Sequence, residues 1–407
     1  GIARSIEALS HQELIFMRHQ KRFVVSAAIL LACLPLFMGL GCPAGGGGGG
    51  LDTGSCCAAD GSCTVTAQAD CSGTWTSGGT CSPNPCTPGA PTVTPQLFVA
   101  NFTGNGVVSF LNPSTLNGNV APSTLVFGPE TSLVNPVDIV VTAGGILLAA
   151  NFGAVPPSIT VYPGATTANG NVVPARNVQG TNTGLNAPVT LAVNAASDLL
   201  FVANNAGTFD INVYSGASTN GFLGNLPPAR TIKSAALHNP LGINFGAATA
   251  ANPAAGDDLY VANVGDNKIL VFANASSRNG TIAPDRVLTS AAFTGIFDCF
   301  VDSGDRLYVV NGSGGGATKN RIFVINDAST KNGAVTVDST LTVTGAVALG
   351  AVSVDKSNTG YIVEGGAPGA IYVYDSINTR NGAFSPDREI TGPNTQLAGP
   401  IRVFLLE

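Results

Sequence analysis

A pair of strand-length apolar runs recurs six times along the chain. In one copy the first run is LYVAN at Leu259 and the second is KILVF at Lys268, with a Gly-bearing turn between them. The copies follow one another at intervals of about 50 residues, a period typical of proteins that repeat one supersecondary unit. The first runs begin at Leu97, Leu147, Leu200, Leu259, Leu307 and Gly360.

Each period also contains two further strand-like pieces, such as RVLTS at Arg286 and GIFDCFV at Gly295. Runs that are apolar on both faces suit strands packed between neighbouring sheets. Four-stranded sheets arranged in a closed ring form a β-propeller, whereas the alternative, a linear solenoid, needs capping repeats at its ends.

The two ends of the repeat region favour the ring. The copy at Leu97 lacks the innermost strand that precedes every other copy, and the chain finishes with such a strand, GPIRVFLLE from Gly399. Joined together, the two ends complete a sixth blade and remove free sheet edges. We therefore predict an all-β fold: a six-bladed β-propeller of four-stranded blades over residues 97–407, closed by the C-terminal strand and preceded by a small disulfide-rich module.

An Asn-Gly pair follows the second run of every copy, and we interpret the pairs as structural because Gly supplies positive φ in a turn. In five copies the residue five positions after the Asn is Pro, or Val337 in one of them. The copy with Asn220 has its Pro at a longer offset, at Pro228. The pairs begin at Asn117, Asn169, Asn220, Asn279, Asn332 and Asn381.

The repeats resemble NHL-type six-bladed propellers over residues 97–407. The resemblance rests on a Pro or Gly that opens the inner strand, a Gly-containing hairpin, and then L-Y-V-A-N and I-x-V-F. It implies a binding platform, a scaffold or, less often, a metal-dependent hydrolase. The tryptophan-aspartate pair of WD40 blades is absent from the sequence.

The N-terminal region has the features of an export signal. We interpret residues 1–16 as an upstream segment and residues 17–41 as a signal peptide, because a basic start after Met17 leads into an uncharged stretch from Phe23 to Gly41. An uncleaved membrane anchor is the alternative. Cys42 and the Gly-rich tether 42–50 resemble the acylation site of a bacterial lipoprotein, with Cys33 as the alternative site. This resemblance implies a lipid anchor in the membrane and a place in the bacterial cell envelope, at the outer membrane, in the periplasm or on the cell surface.

Residues 51–86 contain six cysteines and too few apolar residues for a core, so we expect three disulfides with open connectivity. A zinc site is the alternative, but the spacing lacks paired C-x-x-C motifs. Trp75 is expected to fill the module's small core, and residues 87–96 form a Pro-rich linker. The six are Cys56, Cys57, Cys63, Cys71, Cys81 and Cys86.

The charge distribution excludes nucleic-acid binding. The chain has 18 Lys and Arg against 24 Asp and Glu, and no basic residue lies between Cys42 and Arg176. Nucleic-acid binding needs clustered basic side chains that displace counterions from phosphate.

The residue that ends each first run is the first candidate for ligand binding. In a propeller these positions lie on the face where the blade connections open, so their oxygens could hold a ligand or a divalent metal such as calcium. The alternative is that each side chain hydrogen-bonds the local turn backbone. The residues are Asn101, Asn151, Asn204, Asn263, Asn311 and Glu364.

Asp138 and Asp298 are the second candidate, for a metal site together with Glu364. Both stand at the start of innermost strands and fall in blades on opposite sides of the ring. Their placement resembles the channel-mouth carboxylates of gluconolactonase-like propellers, which implies metal-dependent cleavage of lactones or phosphoesters. The alternative is that they pair with Arg402 or with water. His238 lacks a nucleophile motif nearby, and Cys299 is expected to be a buried free thiol.

From these features we expect an exported, lipid-anchored propeller that acts as a non-catalytic platform for an envelope protein or a glycan. The alternative function is a metal-dependent hydrolase of the lactonase type.

Overall fold

The computed structural model describes residues 53–58, 62–71, 74–82, 85–86, 94–250, 252–312, 316, 318–366 and 368–407. The predicted upstream segment, signal peptide and tether, with Cys33 and Cys42, lie outside the described residues. The chain separates into two compact units, Gly1–Gly89 and Ala90–Glu407, and this division falls inside the segment 87–96. In the part of the chain that the structure describes, no helix is long and apolar enough to cross a membrane.

The first unit contains a three-stranded antiparallel sheet in the order β2-β1-β3. Trp75, in β3, is partly buried and donates a hydrogen bond from Nε1 to the carbonyl oxygen of Thr66 at 3.0 Å. The structure settles the connectivity that the sequence left open, as Cys56–Cys71, Cys57–Cys86 and Cys63–Cys81. Because disulfides persist in oxidising compartments, the protein is extracytoplasmic. The strands are β1 (Thr53–Cys57), β2 (Cys63–Ala67) and β3 (Thr74–Ser77).

The second unit contains the remaining strands. Its first half holds β4 (Gln96–Asn101), β5 (Gly106–Leu111), β6 (Thr124–Phe127), β7 (Pro136–Val141), β8 (Ile146–Asn151), β9 (Ser158–Pro163), β10 (Arg176–Gln179), β11 (Pro188–Asn194), β12 (Leu199–Asn204), β13 (Ile211–Ser215) and β14 (Arg230–Lys233). Its second half holds β15 (Pro240–Phe245), β16 (Leu259–Asn263), β17 (Lys268–Phe272), β18 (Gly280–Thr281), β19 (Arg286–Thr289), β20 (Ile296–Val301), β21 (Leu307–Asn311), β22 (Arg321–Ile325), β23 (Gly333–Ala334), β24 (Ser339–Val343), β25 (Leu349–Val354), β26 (Gly360–Glu364), β27 (Ala370–Tyr374), β28 (Gly382–Phe384), β29 (Arg388–Thr391) and β30 (Pro400–Leu406). A short 3-10 turn occupies Gln68–Asp70 in the first unit, and the second unit has others at Pro113–Thr115, Pro129–Thr131, Pro253–Asp257, Val264–Asp266, Ala275–Ser277, Ala328–Thr330, Ile377–Thr379 and Pro393–Thr395.

These strands form the six antiparallel blades that the repeat predicts. From the innermost strand outward the blades are β30-β4-β5-β6, β7-β8-β9-β10, β11-β12-β13-β14, β15-β16-β17-β19, β20-β21-β22-β24 and β25-β26-β27-β29, which we number one to six. The six innermost strands contact one another in a ring, in which β30 touches both β7 and β25. Blade one joins the two ends of the repeat region, because β30 pairs with β4 from Pro400↔Asn101 to Leu406↔Gln96. The predicted six-bladed propeller closed by the C-terminal strand is therefore confirmed.

The hydrophobic core is divided into six clusters, each between two neighbouring blades. One cluster packs Phe201 of blade three against Leu259 and Phe272 of blade four. The cluster at the closing seam packs Leu97 and Phe110 of blade one against residues of blade six such as Ile371. The middle strands are buried on both faces because each face meets a different neighbour.

In five of the six copies the Asn-Gly segment joins its blade to the outer edge of the blade before it. Three of them add a short parallel strand there: β18 pairs with β14, β23 with β19, and β28 with β24. In five copies the Asn Oδ1 also accepts a hydrogen bond from a backbone N–H of the preceding blade's outer strand. These bonds join Leu125 to Asn169, Thr231 to Asn279, Val287 to Asn332, Thr340 to Asn381 and Glu389 to Asn117, at 2.8 to 3.2 Å.

The third copy departs from the pattern that the sequence indicated. Gly224, not Gly221, has the positive φ of 69° and forms the parallel bridge, with Val178 of blade two. Leu223 therefore stands where the other copies have Asn, and Pro228 then follows it at the usual offset. Asn220 lies exposed, outside this seam.

Candidate functional site

The start of each innermost strand supplies the residues that line the channel. Every one of these strands has an irregular register just after its first residue, as between Pro136 and Asp138 in blade two and between Pro400 and Arg402 in blade one. Such a bulge re-aims side chains locally. The residues that follow form two sets, one of polar side chains facing the channel and one of apolar side chains at its mouth.

The polar set borders a cavity of about 270 Å³, which we call the channel cavity. It lies along the innermost strands on the side of Arg402 toward the C-terminal Glu407. Polar side chains of all six blades line it, and Glu407 adds a further carboxylate. The six are Asp138, Thr190, Asn244, Asp298, Ser353 and Arg402.

Arg402 is the central side chain of the channel. Although it is only 4% exposed, its Nη1 lies 2.7 Å from Oδ1 of Asp298 in blade five, and its Nη2 donates a hydrogen bond to the carbonyl oxygen of Leu241 in blade four. Its guanidinium carbon also lies 5.0 Å from the ring centroid of Phe297. A single side chain of blade one therefore crosses the channel to the two blades on its far side.

Both channel aspartates are buried and hydrogen-bonded. Oδ2 of Asp138 accepts hydrogen bonds from the Thr190 hydroxyl at 2.9 Å and from the Leu191 N–H at 2.7 Å, both in blade three. Its Oδ1 accepts one from the Ile139 N–H at 2.8 Å. Burial raises the pKa of Asp138 to about 6 against the opposing effect of Arg402, and burial also raises the pKa of Asp298.

Asp138 and Asp298 both line the channel cavity, and their carboxylate oxygens contact groups of the protein itself. Oδ1 of Asp298 is paired with the guanidinium of Arg402. Asp138 links blade two to blade three by accepting a hydrogen bond from the Leu191 N–H. Among the residues that the structure describes, no three His, Cys, Asp or Glu side chains are grouped so that they could hold a metal ion. A metal role for Asp138, Asp298 or Glu364 stays a prediction.

The six residues that end the first runs are all buried, and most of their hydrogen bonds go to their own blade. In each blade the side-chain oxygen accepts a hydrogen bond from the loop that leads into the innermost strand. The donors are the N–H groups of Ala398 to Asn101, Val134 to Asn151, Asn186 to Asn204, His238 to Asn263, Thr294 to Asn311 and Val347 to Glu364.

Glu364 makes the largest number of these backbone contacts. Its two carboxylate oxygens accept hydrogen bonds at 2.8 Å from the N–H groups of Val347, Ala348 and Gly366. Such contacts favour the interpretation that the six side chains hold the turn backbone. Their predicted role as ligand-binding groups stays a prediction.

The apolar set lies at the opposite end of the channel, on the face where the turns after the second strands open. It borders a pocket of about 190 Å³, which we call the mouth pocket. Arg402 lines this pocket as well as the channel cavity, so its side chain stands between the two. The apolar lining residues are Phe102, Val137, Phe152, Val189, Leu241, Phe297 and Ile401.

These apolar residues were not predicted from the sequence, although the repeat carries a signal for them. Phe102 and Phe152 each follow the Asn that ends the first run, whereas other copies have Asn205, Val264 or Gly there. Val137, Val189, Phe297 and Ile401 directly precede Asp138, Thr190, Asp298 and Arg402, and Leu241 precedes Gly242 at the same position of its blade. Comparing copies at these two positions would have found the pocket.

His238 and Cys299, which the sequence also brought forward as candidates, do not line the mouth pocket. His238 is half exposed, and its Nδ1 lies 2.8 Å from Oδ2 of Asp266, which also accepts a hydrogen bond from Asn263. Cys299 is a buried free thiol, as predicted, with its sulfur 3.9 Å from the carbonyl oxygen of Gly242. Burial, reinforced by the nearby Asp298, raises the pKa of Cys299, which keeps it a thiol.

Comparison with known proteins shows that the fold of this chain is similar to several solved structures. No protein family and no curated protein matches the sequence. A protein of unknown function from Bacteroides caccae is 8% identical with a TM-score of 0.49, over 77% of this chain and 99% of that one. A chain of a nidogen/laminin complex is 13% identical with a TM-score of 0.48, over 77% and 98%. A functionally unknown protein from Desulfotomaculum acetoxidans is 11% identical with a TM-score of 0.45, over 76% and 85%.

Proposed function

We propose that the protein is an exported, non-catalytic binding module of the bacterial cell envelope, anchored by a lipid on Cys42 and binding an envelope protein or glycan at the face with the mouth pocket. The observation that carries this proposal is the mouth pocket itself, an apolar recess that Arg402 separates from the polar channel. Apolar pockets of this kind are common ligand sites in proteins. The repeats also resemble those of NHL-type propellers, which serve as binding platforms.

The contacts of the carboxylates give the hydrolase alternative less support. A lactonase-type site needs carboxylate oxygens that are available to a metal ion and open to substrate. Oδ1 of Asp298 is paired with Arg402, and both oxygens of Asp138 accept hydrogen bonds from the protein. A divalent cation at either aspartate would also be repelled by the Arg402 guanidinium.

A binding experiment with a matched control tests the proposal. The full chain is applied to arrays of envelope glycans and of peptides from envelope proteins, beside Phe152→Asp and Phe127→Asp. Phe152 is 41% exposed at the mouth pocket, whereas Phe127 is 53% exposed at the end of the outer strand of blade one. We expect specific binding that Phe152→Asp abolishes and Phe127→Asp retains. Binding that neither substitution affects, or no binding at all, would contradict the proposal.

The enzymatic alternative and the anchor are tested separately. The enzymatic test is hydrolysis of lactones or phosphoesters. Activity that calcium increases, EDTA removes and Asp298→Asn abolishes would support the hydrolase and contradict the non-catalytic binding module. Metabolic labelling with a fatty acid tests the anchor. We expect Cys42→Ala to lose the label and leave the membrane fraction while Cys33→Ala keeps both, and the reverse pattern would move the anchor to Cys33.

A further inference from the structure

We infer that the mouth pocket binds one uncharged apolar group of about the size of a single aromatic ring. This inference rests on the proposed function, because it names the chemistry of the ligand that the binding face recognises. It follows from the volume of the pocket, from the contacts of the one charged side chain in its lining, and from the exposure of the aromatic side chains at its edge.

The volume sets the size of the group. The pocket measures about 190 Å³, and an apolar cavity of about 150 Å³ is known to accept benzene. A six-membered ring with one small substituent therefore fills the space, as does a branched aliphatic group of the same size. Two fused rings with substituents would have to protrude.

The contacts of Arg402 disfavour a charged group in the mouth pocket. Arg402 is the charged side chain of the lining, and its guanidinium already pairs with Asp298 and donates to the Leu241 carbonyl. It also lies over the ring of Phe297. An anionic ligand group would compete with Asp298 for the guanidinium and weaken a buried ion pair, while a cationic group would be repelled by the guanidinium itself. Because burying an unpaired charge is costly, the pocket selects an uncharged group.

The aromatic side chains at the edge favour a ring over a flexible chain. Phe102 and Phe152 lie with their ring centroids 6.4 Å apart and tilted by 50°, within the range of favourable aromatic pairs. Phe152 is 41% exposed, and Val134 and Val155 nearby on blade two are 39% and 97% exposed. A third ring in the pocket would bury part of this apolar surface and contact two aromatic faces. Exposed apolar patches beside a recess are typical of ligand-binding surfaces.

Small aromatic probes test the inference on the full chain. Toluene is titrated in ligand-observed NMR, with benzoate and benzylammonium as the charged counterparts of the same ring. We expect saturable binding of toluene and at least tenfold weaker binding of both ions. Failure of toluene to bind, or binding of either ion as tightly as toluene, would overturn the inference.

Three variants locate the binding. Leu241→Trp puts a larger side chain into the pocket lining and is expected to abolish toluene binding. Phe152→Ala removes an exposed wall and is expected to weaken binding severalfold, and it keeps the test decisive if Leu241→Trp does not fold. Phe127→Ala makes the same change away from the pocket and is expected to leave binding unchanged. Toluene binding that neither pocket variant reduces would overturn the inference.

The two proposals fail in different ways. Toluene binding that follows this pattern, together with arrays that show no partner, would support the apolar site and reject the macromolecular ligand. Array binding that depends on Phe152, without any toluene binding, would support the binding face and reject the aromatic-sized group.

Discussion

The guanidinium of Arg402 lies 2.7 Å from the carboxylate of Asp298, so the last strand of the chain is joined across the channel to the fifth blade. Arg402 belongs to β30, the strand that completes blade one, and it also donates a hydrogen bond to the Leu241 carbonyl of blade four. The residue that divides the channel cavity from the mouth pocket thus comes from the segment that closes the ring.

Replacing Arg402 with Met should strongly destabilise the propeller at neutral pH. The side chains of Arg402 and Asp298 are only 5% and 9% exposed, and removing one partner of a buried ion pair typically costs about 3–5 kcal/mol. The loss should be smaller at low pH, because burial raises the pKa of Asp298 and its protonation removes the unpaired charge.

Denaturant unfolding of Arg402→Met beside Lys356→Met measures this effect. Lys356 pairs with Glu407 on the surface, at 3.7 Å and with a side chain that is 69% exposed, so its loss should change the free energy of unfolding by less than about 1 kcal/mol. Adding Asp298→Asn to Arg402→Met should restore part of the stability. Equal effects of the two Met substitutions would show that the channel pair contributes no more than a surface pair.

Asp138→Asn should change how stability depends on pH. The pKa of Asp138 rises from 3.8 to about 6 on folding, so between these values the folded state binds more protons than the unfolded state. The parent therefore loses stability as pH rises through this window, by about 3 kcal/mol in total. The Asn variant lacks this contribution, so its free energy of unfolding relative to the parent should increase between pH 3.5 and pH 7.

Asp375→Asn provides a control of opposite sign. A hydrogen bond from Arg388 lowers the pKa of Asp375, so this carboxylate stabilises the parent above its unfolded pKa and loses that effect as pH falls. Unfolding curves at a series of pH values compare the two variants with the parent. If the Asp138→Asn and parent profiles run parallel from pH 3.5 to pH 7, the elevated pKa of Asp138 is wrong.

Deleting Pro400–Glu407 should abolish the cooperative unfolding of the propeller. The deletion removes β30, which pairs with β4 and contacts the innermost strands of both neighbouring blades. Deleting Glu407 alone is the matched control, because it leaves the whole of β30 in place and removes the contacts with Lys356. Calorimetry distinguishes the two, and a Pro400–Glu407 deletion that melts like the parent would contradict closure by this strand.

Asn117→Ala should weaken the closing seam by about 1 kcal/mol, because Asn117 Oδ1 accepts a hydrogen bond at 3.0 Å from the Glu389 N–H of blade six. Asn220→Ala is the control, since Asn220 also precedes a Gly but lies exposed outside the seam. Chemical denaturation should show a lower midpoint for Asn117→Ala alone. Equal midpoints would mean that the Asn side chains contribute nothing to the joining of blades.

Most of the fold could be predicted from the sequence, because a propeller blade is a local unit. The runs at Leu259 and Lys268 pair through a short turn, and the same pattern in six copies determines six similar sheets. The exception was the third copy, where the Asn-Gly at Asn220 matched the pattern but Leu223-Gly224 occupies the seam. Either pair can form a turn, so the longer offset from Asn220 to Pro228 was the signal in the sequence, and the pairing across blades shows which pair lies in the seam.

The site was far less predictable than the fold. The sequence by itself determined the blades, the closing strand and the polar residues Asp138, Asp298 and Arg402 at the starts of innermost strands. Only the tertiary structure decided that Arg402 crosses the channel to pair with Asp298, and that Phe102, Phe152 and Phe297 border one pocket. Strand pairing depends on patterns within one copy, whereas the channel brings together single residues from different copies, whose side-chain directions are set only when the ring closes.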